Sequence, residues 1–158
     1  FISSALGILT RLTASRASIV DRNAMCITLK EEYMSKLRPL ALIIDDNWEY
    51  MQILKATLDS TGFDVETCES VASARDIKNK DQFAVVFLDD RMPNETGMSY
   101  LSEACRQFSR SLIIVMSTCS SLLAQKVVQQ GAYGFYEKCS PISSLLIDLL
   151  LSLEKRRL

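Results

Sequence analysis

The 158-residue chain contains no histidine. That absence removes Ser-His-Asp hydrolysis, Cys-His proteolysis, histidine metal ligation and any phosphohistidine on the chain itself, so carboxylate, hydroxyl, amine or thiol must carry its chemistry. Cysteine is sparse and odd in number. Cys26, Cys68, Cys105, Cys119 and Cys139 are well separated and include no C-x-x-C pair, which suggests neither a disulfide framework nor a zinc site and points to reduced thiols in a cytoplasmic protein. No apolar run approaches the ~18–20 residues of a transmembrane helix, which predicts a soluble chain with no membrane partner. A strong net charge is missing too. The balance of −1 leaves no basic face across the whole surface for anionic lipid or nucleic acid, although charge can still be local.

What is present is apolar. Hydrophobic side chains make up 48% of the residues, enough for one domain with a core and an appendage. Residues 1–38 carry six Lys/Arg against three Asp/Glu, whereas residues 39–158 carry twelve against sixteen. The first stretch is rich in Ser and Thr and includes Arg11, Arg16 and Arg22 without an acid before Asp21, a bias shared with transit peptides. Because it opens on Phe1, the expectation is that it is not an intact N-terminus, with Met34 a candidate native start. The expectation is a poorly ordered or loosely helical extension over 1–38, its rival being a helical linker from an upstream domain, with the folded domain over 39–158.

From Pro39 onward, short apolar runs alternate with helical-period segments, the signature of βα units and a parallel sheet. Five units can be counted. Strands are expected at 40–44, 63–67, 83–88, 112–116 and 133–137. The first helix is expected to carry Trp48, Met51, Ile53, Leu54 and Leu58 and to stop at Gly62. The others are expected over 72–77, 98–108, 122–130 and 142–153, with Pro93 and Gly97 shaping the turn into the third and Pro141 opening the fifth. The fold class is therefore α/β: a doubly wound five-stranded parallel sheet of order 2-1-3-4-5, a flavodoxin-like three-layer sandwich.

In that order, strands one and three are neighbours whose connections leave in opposite directions, opening a crevice at their carboxyl ends. Asp45 and Asp46 end strand one and Asp89 ends strand three, so three carboxylates converge there. Like charges this close repel unless a cation neutralises them, and few hard oxygen ligands with room for water suit Mg²⁺. Ser117 and Lys138 end strands four and five at the same rim. A hydroxyl and an ammonium beside such a cluster are what phosphoryl oxygens require. Taken singly, an Asp after a strand is an ordinary helix N-cap, Ser117 a turn residue and Lys138 a solvated surface lysine. Together at four strand ends of one sheet they are not a chance set.

Ile43-Ile44-Asp45-Asp46, Leu88-Asp89-Asp90-Arg91-Met92-Pro93 with Gly97, Val115-Met116-Ser117, and Gly131-Ala132 leading to Phe135 and Lys138 resemble the receiver domain of two-component response regulators, over about residues 39–155. The resemblance implies that Asp89 accepts a phosphoryl group from a sensor histidine kinase, a phosphotransfer protein or a small phosphodonor. Asp45, Asp46, Asp89 and the backbone carbonyl of Arg91 would hold Mg²⁺. Lys138 and Ser117 would engage the phosphoryl oxygens, and Phe135 would turn inward as Ser117 moves. The domain would catalyse its own Mg²⁺-dependent phosphorylation and dephosphorylation. Its output would be a homodimer or effector contact through the fourth helix, fifth strand and fifth helix, with no direct nucleic acid binding expected.

Two positions depart from the family pattern. Cys139 follows Lys138 where a proline, usually cis, is the rule, and a cis bond before a non-proline residue costs ~2.5–4 kcal/mol. Thr118 stands where Ala or Gly is usual, with extra bulk beside Asp89. On the fifth helix, Ile142, Leu145, Leu146, Leu149, Leu150 and Leu153 form the expected core stripe, while Ile147 and Leu151 lie on a neighbouring seam that a surface helix would keep polar. A phosphate-independent pseudo-receiver interaction module is the alternative function. A phosphatase with an Asp nucleophile would want D-x-D where this chain has Asp45-Asp46, and a flavin carrier would want a Ser/Thr/Gly-rich loop where it has Asn47-Trp48-Glu49.

Overall fold

Central strands of a parallel sheet are covered on both faces, so they read as near-continuous apolar runs, and three segments of this chain do. In the computed structural model, which describes residues 38–118 and 121–157, these are β1 (Leu40–Ile44), β3 (Phe83–Asp89) and β4 (Leu112–Ser117). β2 (Asp64–Cys68) and β5 (Gly134–Glu137) are more exposed and occupy the edges. All pairings are parallel and the order is β2-β1-β3-β4-β5, so the expected fold class holds.

Residues alternate across the sheet, as the period of two requires. From β3, Val85 and Phe87 pack with Met51, Leu54 and Leu58 of α1 (Trp48–Ser60) and with Leu146, Leu149 and Leu153 of α5 (Ser143–Arg157). Val86 and Leu88 face the other way, towards α2 (Val71–Asp76), α3 (Gly97–Gln107) and α4 (Ser121–Gln129). Helices therefore cover both faces. Asn47, Ser70 and Thr96 each cap a helix by accepting from the backbone N–H three residues on, satisfying a donor that the first turn leaves unpaired. Gly62 (φ +98°) and Gly131 (φ +104°) follow the ends of α1 and α4 in the left-handed conformation that favours glycine.

Several expectations are corrected. Trp48 and Ile53 are 61% and 66% exposed: Ile53 sits two residues from Met51, on the opposite side of the helix, and Trp48 lies in the first turn. Leu150, at the margin of the Leu146–Leu149–Leu153 stripe, is also exposed, whereas Ile147 and Leu151, expected outside that stripe, are exposed in keeping with it. The second strand begins one residue later than expected, and the fifth helix runs on to Arg157. A 3₁₀ turn at Lys80–Gln82 was not expected; too short to show a hydrophobic period, it leads directly into β3.

The expected extension over 1–38 lies outside the described residues except for Arg38, as do Cys26 and Cys119. Among those described, Cys68, Cys105 and Cys139 are free. Arg38 is held at the sheet: its guanidinium donates to the carbonyls of Asp59 and Phe63 and lies 2.9 Å from Asp64 Oδ1, an ion pair not aligned as a hydrogen bond.

Candidate functional site

Register brings the strand ends together. Ile44 pairs with Leu88, Asp89 with Met116 and Ser117 with Glu137, so Asp45, Asp89, Ser117 and Lys138 emerge at one rim. Backbone hydrogen bonds extend the ladder past the strand ends, from Asp45 N–H to Cys68 C=O (3.1 Å), Asp90 N–H to Met116 C=O (2.8 Å) and Lys138 N–H to Ser117 C=O (2.9 Å). The rim is thereby fixed by the sheet as well as by its side chains.

Carboxylate oxygens of Asp45, Asp46 and Asp89 lie within 4.8 Å of one another. Asp45 is 0% exposed and Asp89 3%, while Asp46 faces solvent. The helix cap next to them is Asn47, not Asp46: Asn47 Oδ1 accepts from Tyr50 N–H at 2.9 Å, leaving Asp46 outside that role. Lys138 Nζ bridges the buried pair, 2.6 Å from Asp45 Oδ2 and 2.7 Å from Asp89 Oδ1. The remaining oxygens accept backbone donors, Asp45 Oδ1 from Asn47 N–H and Asp89 Oδ2 from Arg91 N–H, both at 2.9 Å.

Burial raises the Asp45 carboxyl above the usual carboxylate range, against the opposing pull of Lys138 and the Asn47 N–H. Burial also acts to lower the Lys138 ammonium, but its hydrogen bonds to Asp45 and Asp89 outweigh this and hold it above the ordinary lysine value. Asp90 is raised by burial and by neighbouring Asp89, with the Met98 N–H at the start of α3 pulling the other way. It thus belongs to the turn, as the one-residue step from Asp89 implies.

Ser117 is 1% exposed at the end of β4. Phe135 is half-buried on β5 against the α2–α3–α4 core. Thr118, next to Ser117, is exposed. All described peptide bonds are trans, that between Lys138 and Cys139 included, which settles the loop shape that Cys139 left open: trans, yet with Lys138 aimed at both aspartates. The loop after Asp89 is tied down by Arg75, which donates from two nitrogens to Glu95 (2.7 and 2.9 Å) and from two to Glu103 (2.9 and 2.7 Å).

Sequence reasoning missed Tyr50 and Tyr136. The Tyr50 ring lies against Lys138 Nζ, 4.4 Å from ring centroid to nitrogen. Tyr136 donates its hydroxyl to Ser140 C=O at 2.6 Å. Tyr50 does follow Asp46 by one helical turn, but nothing in the linear pattern joins it to residue 138.

The profile described as the response regulator receiver domain matches residues 41–149. The chain belongs to the response regulator receiver domain family. The receiver domain is 35% identical over 118 residues to the C4-dicarboxylate transport transcriptional regulatory protein DctD of Pseudomonas aeruginosa, covering 74% of this chain and 26% of DctD. It thus spans about a quarter of the length of the curated relatives it matches. Among solved structures, a response regulator receiver domain protein from Clostridium thermocellum superposes with a TM-score of 0.68 at 24% identity, over 75% of this chain and 97% of that one. The beryllofluoride-activated NtrC4 receiver domain dimer aligns at 0.65 and 26% identity, over 73% and 97%. Receiver domains act in two-component signalling, use Mg²⁺ at an acidic pocket and interact with histidine kinases or phosphotransfer proteins. Among the described residues, no helix is long and apolar enough to cross a membrane.

Proposed function

We propose that this receiver domain accepts a phosphoryl group on Asp89 and that the modification shifts the domain between two conformers to control an output. The observation that carries this reading is the buried Asp89 carboxylate at the switch point, with Asp45 and Asp46 beside it and Lys138 on its Oδ1. A carboxylate oxygen of Asp89 attacks phosphorus, the O–P bond forms as the bond to the donor breaks, and the departing imidazole or carboxylate keeps the electron pair. Lys138 and Ser117 would stabilise the charge on the transferring group, and Phe135 would follow Ser117 in the switch. The sensor kinase or phosphotransfer partner supplies the phosphoryl group.

The donor set fits Mg²⁺. Three carboxylates face one ammonium, leaving two negative charges uncompensated on hard oxygen donors. Asp45, Asp46, Asp89 and the Arg91 carbonyl would hold the ion, which when bound neutralises charge on the phosphoryl oxygens. Incubation with Mg²⁺ and acetyl phosphate is expected to give one hydroxylamine-labile phosphoryl adduct, absent in Asp89→Asn. A wild-type protein that takes none would instead favour the phosphate-independent module.

Metal binding has its own readout. Trp48 is the chain's single tryptophan and begins α1 two residues after Asp46. Titration with Mg²⁺ is expected to change its fluorescence saturably, and Asp45→Asn should weaken the apparent affinity by about tenfold or more, since one of few charged ligands is lost. An unchanged affinity would remove Asp45 from the ligand set.

For the output, Val128 on α4, Tyr133 before β5, and Ile147 and Leu151 on α5 are exposed apolar residues, and the NtrC4 receiver is a dimer. This supports a homodimer or effector contact there.

A further inference from the structure

Tyr50 touches Lys138, and Tyr136, packed in the same core layer, holds the loop that follows the lysine. The Lys138 ammonium has three N–H donors. Two are directed at Asp45 and Asp89, and the Tyr50 ring lies 4.4 Å from the nitrogen, within the range at which an aromatic face attracts a cation. The Tyr50 phenol lies close enough to that of Tyr136 for each to shift the other's ionisation, and the Tyr136 hydroxyl donates to Ser140 C=O at 2.6 Å. Ser140 N–H closes the turn on Glu137 C=O at 2.9 Å. The Tyr50 ring and the Tyr136 hydroxyl therefore meet the two ends of the segment that delivers the lysine. Tyr136 is itself buried, and Tyr50 packs on the same core, so neither phenol can swing without disturbing that layer.

The turn has reason to need this. A proline after Lys138 would fix φ and stiffen the backbone, but residue 139 is Cys139, which does neither. We propose that Tyr50, acting with Tyr136, is a positioning residue that holds Lys138 on the acceptor carboxylate and takes over the restraint that a proline would supply. This rests on the reading that Lys138 serves phosphoryl transfer to Asp89.

The test measures phosphorylation by acetyl phosphate with Mg²⁺ in the whole chain, for Tyr50→Leu, Tyr50→Phe and Tyr136→Phe, in the native background and in Lys138→Met. In the native background, Tyr50→Leu is expected to slow phosphorylation about tenfold, and each Phe variant, which keeps the ring but removes one hydroxyl, about threefold. Mg²⁺ affinity read from Trp48 should stay within about twofold, because no metal ligand is touched. In the Lys138→Met background, Tyr50→Leu should have no further effect. A wild-type rate in Tyr50→Leu, or the same slowing with and without Lys138, overturns the proposal. If Tyr50→Leu does not fold, the two Phe variants carry the same comparison.

A second readout needs no phosphorylation. The Lys138 side-chain NMR resonances should carry a ring-current shift that Tyr50→Leu abolishes, and an unshifted wild-type signal overturns the clamp. If the wild-type protein accepts no phosphoryl group, it is the reading of Asp89 that falls, and the clamp is then judged on this signal alone.

Discussion

Lys138→Met is expected to destabilise the domain by about 3–5 kcal/mol in the absence of divalent cation, the range for breaking a buried ion pair by removing one partner. That is a large share of the ~5–15 kcal/mol that holds a typical domain folded. The reason is the environment of Asp45, which is fully buried and whose Oδ2 is met by Lys138. Methionine fills much of the space and leaves the Asp45–Asp89 pair without its cation. The pH dependence follows from the direction of the Asp45 shift. Burial already raises this carboxyl, and losing Lys138 removes an influence that lowers it, so its folded-state pKa rises further above the unfolded value.

A folded state that binds the proton more readily gains stability as pH falls through that raised pKa. The gap between wild type and Lys138→Met should therefore be widest near neutral pH and narrow on acidification, as measured by chemical denaturation. Mg²⁺ should stabilise the variant more than the wild type, since a divalent ion would take the place of the ammonium between the same carboxylates. A gap that does not change with pH would mean that the loss comes from packing and not from the stranded carboxylate.

Gly97→Ala should damage both stability and phosphorylation. A Cβ at this position would lie 2.2 Å from the Asp89 carbonyl oxygen and 2.9 Å from its carbon, all backbone, so no side chain can yield. Gly97 opens α3 and donates its N–H to Asp90 C=O at 3.0 Å. Relief therefore means moving the helix start or the end of β3, which carries Asp89. Overpacking of this kind costs about 1–3 kcal/mol, and a displaced acceptor should slow phosphoryl transfer about tenfold or more, because transfer depends on in-line placement.

Gly62→Ala is the control. Nothing lies within 4 Å of its added Cβ, and its constraint is the positive φ. It should lower stability by about 1–2 kcal/mol while leaving the phosphorylation rate as it was. Equal rates in the two variants would show that Gly97 matters only as a turn residue.

The two glycines also mark where linear reasoning reaches its limit. Gly97 reads as a turn former, and it is one, but its requirement is a close approach between two segments, which has no local signature. By contrast, β1, β3 and β4 were legible because burial on both faces forces a continuous apolar run. Asp45, Asp46 and Asp89 were legible because each interrupts such a run, and topology then places the interruptions together. The helices α1 and α5 were legible as helices, less so in facing, and α5 not in its full extent. Ile53 and Leu150 belong to apolar sequences, yet which residues a helix buries depends on how it is rotated on the sheet.

The sequence by itself determined the alternation of strands and helices, the acidic strand ends and the family resemblance, since these follow from period, punctuation and motif spacing along one dimension. Tertiary structure alone decided that Lys138 reaches two aspartates through a trans loop without proline, that Asn47 and not Asp46 caps α1, and that the Tyr50 ring lies against the lysine. The pairing of Lys138 with Asp45 spans 93 residues. Contacts of that kind are set by how the layers pack, and no local pattern encodes them.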